Sequence, residues 1–319
     1  MDLSLLVVWA VLAVFCLRVV LAVYPAVLPS LGRMRFRPSS DRWVLVTGAT
    51  GGVGSALCRR AAKRGCRVIA TSTTLSKLEA LKDTLLSLGA KEVHVFTCDL
   101  SLPSEALQAA IEEGVGCRTL QGVFLNAGLG NHGSHEHLPQ SEAMRLFQLN
   151  AGATFSLIDS MYRRMVQQNG GFIVCTSSVV DVMSGPKITV YHAVKRLVTG
   201  MAQGLHGEGR RLSVAVHAVC PGPISGTRFY NRDAMKSKGP NESLFTGVDG
   251  GIQATSPDTV ARVAFNIIGS RSATAPVGLF GYFGFVAHAV CGPNVLSVFF
   301  SMLYPFMHRA SDKHALKNQ

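Results

Sequence analysis

From Trp43 onward, short apolar runs alternate with segments whose apolar residues recur at helical spacing. Val44-Leu45-Val46 reads as a strand, Ser55 to Arg64 as a helix and Val68-Ile69-Ala70 as a second strand. Leu75 to Leu88 reads as a helix and Val93 to Phe96 as a third strand. Further strands are predicted at Gly122 to Leu125, Gly171 to Cys175 and Val214 to Val219, with helices between them and one opening near Tyr191. Unbroken apolar strands alternating with helices predict an α/β fold, a parallel sheet covered on both faces.

The two ends follow a different pattern. Leu3 to Tyr24 is 22 residues with one charge, Arg18. As a helix it would reach about 33 Å at 1.5 Å per residue, enough for a hydrocarbon core of roughly 30 Å. A positive n-region is missing, because Asp2 is the only early charge, so a cleaved secretory signal is the weaker reading. Pro25, Pro29, Arg33, Arg35 and Arg37 follow, and arginines on that flank put the rest of the chain on the cytosolic side. Val277 to Met307 is again apolar and aromatic, broken at Gly292-Pro293. Each half is short for a span, which predicts an in-plane or re-entrant segment, with a core or oligomer-forming helix as the rival. The expected divisions are an anchor with its basic flank at 1–32, a catalytic domain at 40–272 and an apolar C-terminal segment with a polar tail at 273–319.

Composition supports membrane contact. The chain is 48% hydrophobic and only 16% charged, against roughly 25% charged for ordinary soluble domains, and its mean hydropathy is +0.27. The net charge of +12 fits attraction to an anionic membrane surface. Nucleic acid is not expected as a partner, because no groove-reading motif or basic-aromatic platform is present. The 8 cysteines form no C-x-x-C pair and read as reduced thiols. His132, His135 and His137 share a polar loop with Gly133, and no metal is expected there.

Two stretches carry candidate chemistry. The first predicted strand runs into Thr47-Gly48-Ala49-Thr50-Gly51-Gly52-Val53-Gly54. Such glycines let backbone N–H groups approach a pyrophosphate at the positive end of the next helix. The spacing is neither G-x-G-x-x-G nor a P-loop. The second stretch is Ser178 to Lys195. On a helix, Tyr191 and Lys195 share one face. An ammonium beside a phenol, whose pKa is near 10 in water, favours the phenolate and brings proton transfer toward neutral pH. A Ser178 hydroxyl could hold the substrate oxygen. A Tyr and a Lys at this spacing, or a Ser pair after a strand, also occur without any catalytic role.

Taken together, these motifs resemble the short-chain dehydrogenases/reductases over residues 42 to 270. Thr47 to Gly54 is similar to that family's T-G-x-x-x-G-x-G loop, and Cys98-Asp99-Leu100 to its adenine-contacting segment. Asn126-Ala127-Gly128 matches its N-A-G, with Leu125 where a further Asn is usual. Asn150 falls at its catalytic Asn, and Ser178, Tyr191 and Lys195 at its Ser and Y-x-x-x-K, 13 residues apart from Ser to Tyr. Pro221-Gly222-Pro223-Ile224 with Thr227 matches its P-G segment beside the nicotinamide, and Val194 stands where a Ser often precedes the Lys. The resemblance implies a Rossmann-type doubly wound parallel sheet in a single domain. It implies that Tyr191 exchanges the proton and that Lys195 lowers its pKa and bonds the nicotinamide ribose. Ser178 orients the carbonyl and Asn150 holds a water linked to Lys195.

The second strand ends Thr71-Ser72-Thr73-Thr74, with no acid to bind a ribose 2′-hydroxyl and repel a 2′-phosphate. The Arg common in NADP users is also missing, but Ser72, Thr73 and nearby Lys77 favour NADP(H) over NAD(H). Past Pro223, Arg228, Phe229, Tyr230, Arg232, Lys236 and Lys238 oppose Asp233 in the family's lid region. A solvated basic face is the plain reading there, and a cationic rim around an apolar cavity the sharper one. The layout is similar to the family's membrane-bound branch, and the run Asn294 to Leu303 to its member-seven type. The expected protein is a membrane-anchored oxidoreductase at the cytosolic face of the endoplasmic reticulum. It would interconvert ketone and secondary alcohol on a lipid, sphingoid, sterol or retinoid substrate. Ketosphinganine or acyl-dihydroxyacetone-phosphate reduction are the specific alternatives, and a non-catalytic dinucleotide-binding membrane scaffold is the rival of another class. Expected partners are the lipophilic substrate, membrane lipids and a second copy of the chain.

Overall fold

The computed structural model describes residues 3–27, 36–39, 41–130, 135–226 and 254–316. At its centre is a 7-stranded sheet in the order β3-β2-β1-β4-β5-β6-β7. The strands are β1 (Trp43–Thr47), β2 (Arg67–Ser72), β3 (Glu92–Thr97), β4 (Leu120–Leu125), β5 (Gly171–Thr176), β6 (Val214–Pro221) and β7 (Thr274–Val277). Every pairing is parallel. The strand order reverses between β1 and β4, which opens a crevice at the carboxyl ends of these two strands.

The helices of the domain are α2 (Gly52–Ala62), α3 (Leu75–Ser87), α4 (Ser104–Val115), α5 (Gln140–Phe147), α6 (Ala153–Gln167), α7 (Thr189–Gly209) and α8 (Pro257–Asn266). One face of the sheet packs on α2, α3 and α8 through Val44, Val46, Leu57, Leu78 and Phe265. The other packs on α4, α6 and α7 through Leu45, Ile69, Ile111, Leu157 and Val198. Neighbouring β1 residues therefore serve opposite layers, and all five residues of the strand are buried. Each such aliphatic side chain contributes roughly 1.5–3 kcal/mol on burial. This two-layer burial is what the unbroken apolar runs encode.

Two findings lie outside the sequence reading. β7 falls beyond residue 272 and extends the sheet past β6. It is four residues long and contains Pro276, and proline is tolerated at a sheet edge because it removes only one ladder donor. The C-terminal apolar stretch, α9 (Gly278–Leu316), is two helical segments joined at a kink where Gly292 leaves the helical conformation with a φ of 80°. The Gly292-Pro293 pair interrupts the helical backbone at that point. Gly278–Met302 within it is 25 residues long with a mean hydropathy of 1.6, long and apolar enough to cross a membrane. The break falls at Gly292-Pro293, where the sequence put it, and the apolar run continues across it.

The N-terminal apolar stretch is helical from Leu3 to Val27 (α1) and lies against α9 and β7. Arg18 Nη1 donates to the Val290 carbonyl at 3.5 Å. Among the described side chains the apolar run is Ser4–Val20, shorter than a full span. Leu5, Val8, Trp9, Val11 and Phe15 of α1 and Leu279, Phe283, Val298, Phe299 and Met302 of α9 are all exposed. All 8 cysteines are free thiols.

A stability prediction arises in α7. A Cβ on Gly204 meets nothing within 4 Å, and the residue is exposed. Gly204→Ala therefore removes only the entropic cost of glycine in a helix. It should stabilise the domain by about 1 kcal/mol, read as a higher melting temperature with unchanged dinucleotide affinity.

Candidate active site

The crevice at the β1/β4 reversal is a cleft of about 1070 Å³. One wall is the turn from β1 into α2. Gly48 has a φ of +64°, and a Cβ there would sit 2.9 Å from Ala127 Cα. A Cβ on Gly54 would sit 2.1 Å from the Gly48 carbonyl oxygen. Both positions thus demand glycine, and the turn brings bare backbone to the cleft. Gly51 is the extended residue before α2 and supplies no side-chain cap. The first-turn N–H groups of α2 at Gly52 and Val53 are left for a ligand, and an anion is what helix N-termini take. The sequence reading began this helix three residues late.

Thr47 and Gly54 lie beneath the cleft rather than on its surface. Thr47 Oγ1 accepts from the N–H groups of Asn126 at 3.0 Å and Ala127 at 3.3 Å. Asn126 also donates to the Thr47 carbonyl at 3.3 Å and accepts from Thr176 Oγ1 at 3.2 Å. One amide therefore ties together the ends of β1, β4 and β5. Thr50, Gly51, Ser72, Thr73, Asp99, Leu100, Ala127 and Gly128 all line the cleft. The Thr50 and Ser72 hydroxyls are 2.7 Å apart. Asp99 Oδ1 accepts from Ser101 N–H at 2.9 Å and from its hydroxyl at 2.8 Å, which fixes the carboxylate at the rim.

Ser178, Tyr191 and Lys195 converge on the opposite wall with Pro221, Gly222 and Ile224. β5 delivers Ser178, which opens a short turn at Val179–Asp181. Its hydroxyl donates to the Pro221 carbonyl at 3.4 Å and accepts from Val180 N–H at 3.4 Å. Both bonds are long, so a substrate oxygen can compete for the hydroxyl. Tyr191 lies in the first turn of α7, its ring set among Ala151, Val180, Ile188 and Val194. Lys195 Nζ is 5.6 Å from the centroid of that ring and donates to the Thr176 carbonyl at 2.9 Å. Burial pushes the Lys195 ammonium down to about 8, while Cys175, Cys220 and Asp181 pull the other way.

Asn150 stands behind Gly128, on a π-turn at Gln148–Gly152 between α5 and α6. Such widened turns are frequent at functional sites. Its Nδ2 donates to the carbonyls of Leu129 at 2.9 Å and Leu146 at 3.1 Å, and its Oδ1 accepts from Leu129 N–H at 3.1 Å. A Cβ on Gly128 would lie 2.6 Å from Asn150 Oδ1 and 3.5 Å from Lys195 Nζ. The glycine thus marks where the two side chains meet.

Thr227 and the basic segment Arg228 to Lys238 lie outside the described residues, as does His132. His135 and His137 sit on an exposed turn, and among the described residues no group of metal-ligating side chains forms. Arg145 and Leu149 also line the cleft and were missed. Their α5–π-turn segment carries no motif of its own, and only its position ahead of Asn150 could have signalled it.

An uncapped helix start, a glycine cradle that a Cβ would fill and a rim carboxylate suit a dinucleotide. The chain matches the short chain dehydrogenase family over residues 42–237 and belongs to it; it is an NAD(P)-dependent oxidoreductase of that family. It is 30% identical over 239 residues to a very-long-chain 3-oxoacyl-CoA reductase-like protein of Arabidopsis thaliana, covering 73% of this chain and 72% of that one. A short-chain dehydrogenase from Sphingobium yanoikuyae in complex with NADPH superposes with a TM-score of 0.62 at 26% identity, covering 71% of this chain and 83% of that one. A 3-oxoacyl-[acyl-carrier protein] reductase from Brucella melitensis with bound NAD gives 0.61 at 26% identity, covering 77% and 92%.

Proposed function

We propose that the protein is a membrane-anchored, NADP(H)-dependent reductase that interconverts a ketone and a secondary alcohol on a lipophilic, acyl- or sterol-like substrate. The carrying observation is that the membrane-compatible helix packs on the segments that follow Ser178 and Pro221 in the cleft wall. Phe280, Phe285 and Phe300 of α9 pack on Val179, Val182 and Met183, immediately after Ser178. A Cβ on Gly284 would come within 2.4 Å of both Met183 Sδ and Val179 Cγ2, and His288 Nδ1 bonds the Val182 carbonyl at 2.9 Å. A Cβ on Gly222 would lie 3.2 Å from Phe280 Cβ. The start of α9 thus leans on both loops that hold a substrate. Exposed apolar faces on α1 and α9 of this extent mark membrane or protein contact. The net charge of +12 favours an anionic bilayer, and the arginines after α1 favour the cytosolic side. The endoplasmic reticulum and the member-seven type of the membrane-bound branch are the finer assignments this layout supports. The oxoacyl-CoA name of the Arabidopsis relative supports an acyl chain on the substrate.

A nicotinamide held in this cleft would supply or accept the hydride. The protein's share is to hold the carbonyl and move its proton. Ser178 Oγ turns from Pro221 to donate to the carbonyl oxygen. Tyr191 gives that oxygen its proton during reduction and takes it back during oxidation. The Lys195 ammonium, held by the Thr176 carbonyl, stabilises the phenolate left behind. Asn150 pins the Leu129 backbone and so fixes the floor beside Lys195.

The test is the full chain in detergent and in vesicles with NADPH or NADH and a panel of long-chain ketones, oxoacyl thioesters and sterol ketones. Equal efficiency on short water-soluble ketones would sink the lipophilic reading. Failure to float with anionic vesicles would sink the anchor. The cofactor preference has its own prediction. Ser72→Asp puts a carboxylate where a 2′-phosphate would lie, beside Thr50. NADPH should bind roughly tenfold to a hundredfold more weakly, with NADH held or improved. Titration by nucleotide fluorescence reads the ratio, and a wild type that already prefers NADH refutes the assignment.

A further inference from the structure

Arg145 lies on α5 and reaches the cleft, which Glu142, one turn before it, does not line. Its Nε donates to Glu142 Oε2 at 2.9 Å and its Nη2 to Glu142 Oε1 at 2.8 Å. This two-bond grip fixes the plane of the guanidinium. It occupies one edge of that plane only, and 45% of the side chain is exposed at the rim. Gln148 Nε2 donates to the Leu102 carbonyl at 3.2 Å. That bond ties the end of α5 to the loop after β3, whose Asp99, Leu100 and Ser101 also line the cleft. Bonding to Glu142 pushes the Arg145 guanidinium up, and the nearby Asp99 carboxylate adds in the same sense.

The place of Arg145 in the cleft says which part of a ligand it meets. A dinucleotide with its pyrophosphate at the start of α2 and its nicotinamide beside Tyr191 and Lys195 extends its adenosine half toward Asp99. Among the described lining residues Tyr191 is the one aromatic ring, and it stands on the opposite wall. An adenine at the Asp99 end therefore has no aromatic side chain to stack on. Charge narrows the choice further. Glu142 compensates Arg145 and Asp99 brings a second negative charge, so a phosphate gains little there. A flat, uncharged ring suits a guanidinium plane held in this way. As an exposed ion pair alone, Arg145 and Glu142 would contribute little to the fold.

We propose that Arg145 is a cofactor-binding residue, its guanidinium, held by Glu142, stacking on the adenine of the dinucleotide. The inference rests on the reading of this cleft as a dinucleotide site. It adds a group on α5 to the glycine turn, the hydroxyls of β2 and the Asp99 rim.

The experiment titrates NADPH and NADH by nucleotide fluorescence into the full chain in detergent, as wild type, Arg145→Met and Arg145→Lys, with melting temperatures alongside. Arg145→Met keeps the apolar stem and should weaken both dinucleotides by the same factor. That factor should be roughly fivefold, the size a guanidinium over an aromatic ring supplies. Arg145→Lys keeps the charge without the plane and should recover little of the loss. Full recovery by lysine would mean that charge alone is used, and a loss confined to NADPH would mean a contact to the 2′-phosphate. Either result overturns the proposal. So does unchanged affinity in Arg145→Met, which would leave the ion pair only bracing α5. Should Arg145→Met not fold, Glu142→Gln takes its place. Releasing the plane should weaken both dinucleotides by less, whereas a guanidinium serving a phosphate would bind NADPH more tightly once freed of its carboxylate. No change, or tightening, is again fatal. A wild type that binds neither dinucleotide refutes the reading of the cleft itself. One that binds both, with Arg145→Met unaffected, refutes only the stacking.

Discussion

Tyr191→Phe should lose about 10²- to 10⁴-fold in kcat/KM, the share that a positioned acid typically supplies, while NADPH binds as in the wild type. The substitution deletes one oxygen from a side chain whose ring is already held by Ala151, Val180, Ile188 and Val194. Phenylalanine keeps those contacts, so neither fold nor cleft should change. The Lys195 ammonium keeps its bond to the Thr176 carbonyl. What disappears is the phenol proton on the helix face that Lys195 shares, at the cleft wall. Single-turnover reduction and equilibrium binding, measured on the same preparation, separate the two effects. Retained turnover would remove Tyr191 from the chemistry. A wild type as inactive as the variant, with binding intact in both, would favour the scaffold reading of this chain.

The sheet and much of the cleft were legible because their signals are local. β1, β2 and β5 carry continuous apolar runs buried on both faces, and burial on both faces needs no long-range information to recognise. The Gly48-to-Gly54 turn carries its reason in its residue types, since a Cβ would come 2.9 Å from Ala127 Cα at Gly48 and 2.1 Å from the Gly48 carbonyl at Gly54. Tyr191 and Lys195 meet through helix periodicity alone. What stayed hidden depends on partners far along the chain. Asp181 reads as one polar residue in an apolar stretch until β6 brings Cys220 and α7 brings Thr199 against it. The π-turn at Asn150 leaves no mark in composition. β7 is too short, and too compromised by Pro276, to show a strand pattern. The break of the C-terminal run at Gly292-Pro293 was legible, but its packing on α1 was not.

Gly54→Ala should weaken NADPH binding by about a hundredfold, which corresponds to about 2.7 kcal/mol. The added Cβ would stand 2.1 Å from the Gly48 carbonyl oxygen, 2.8 Å from its carbon and 2.9 Å from Asn126 Nδ2. Two of these three atoms are backbone, so no side chain can swing aside to relieve the clash. Gly48 cannot retreat either, because its own α-carbon is packed on the Ala127 backbone at the end of β4. The remaining escape is for α2 to slide off the turn. That movement carries the N–H groups of Gly52 and Val53 away from the pyrophosphate position and loosens the amide of Asn126 that joins three strand ends. Loss of affinity should therefore come with a lower melting temperature, unlike Tyr191→Phe, and Gly204→Ala provides the control for an added methyl that meets nothing. Unchanged NADPH affinity in Gly54→Ala would mean that the dinucleotide does not lie over this turn. The proton chemistry assigned to the opposite wall would then have no hydride beside it.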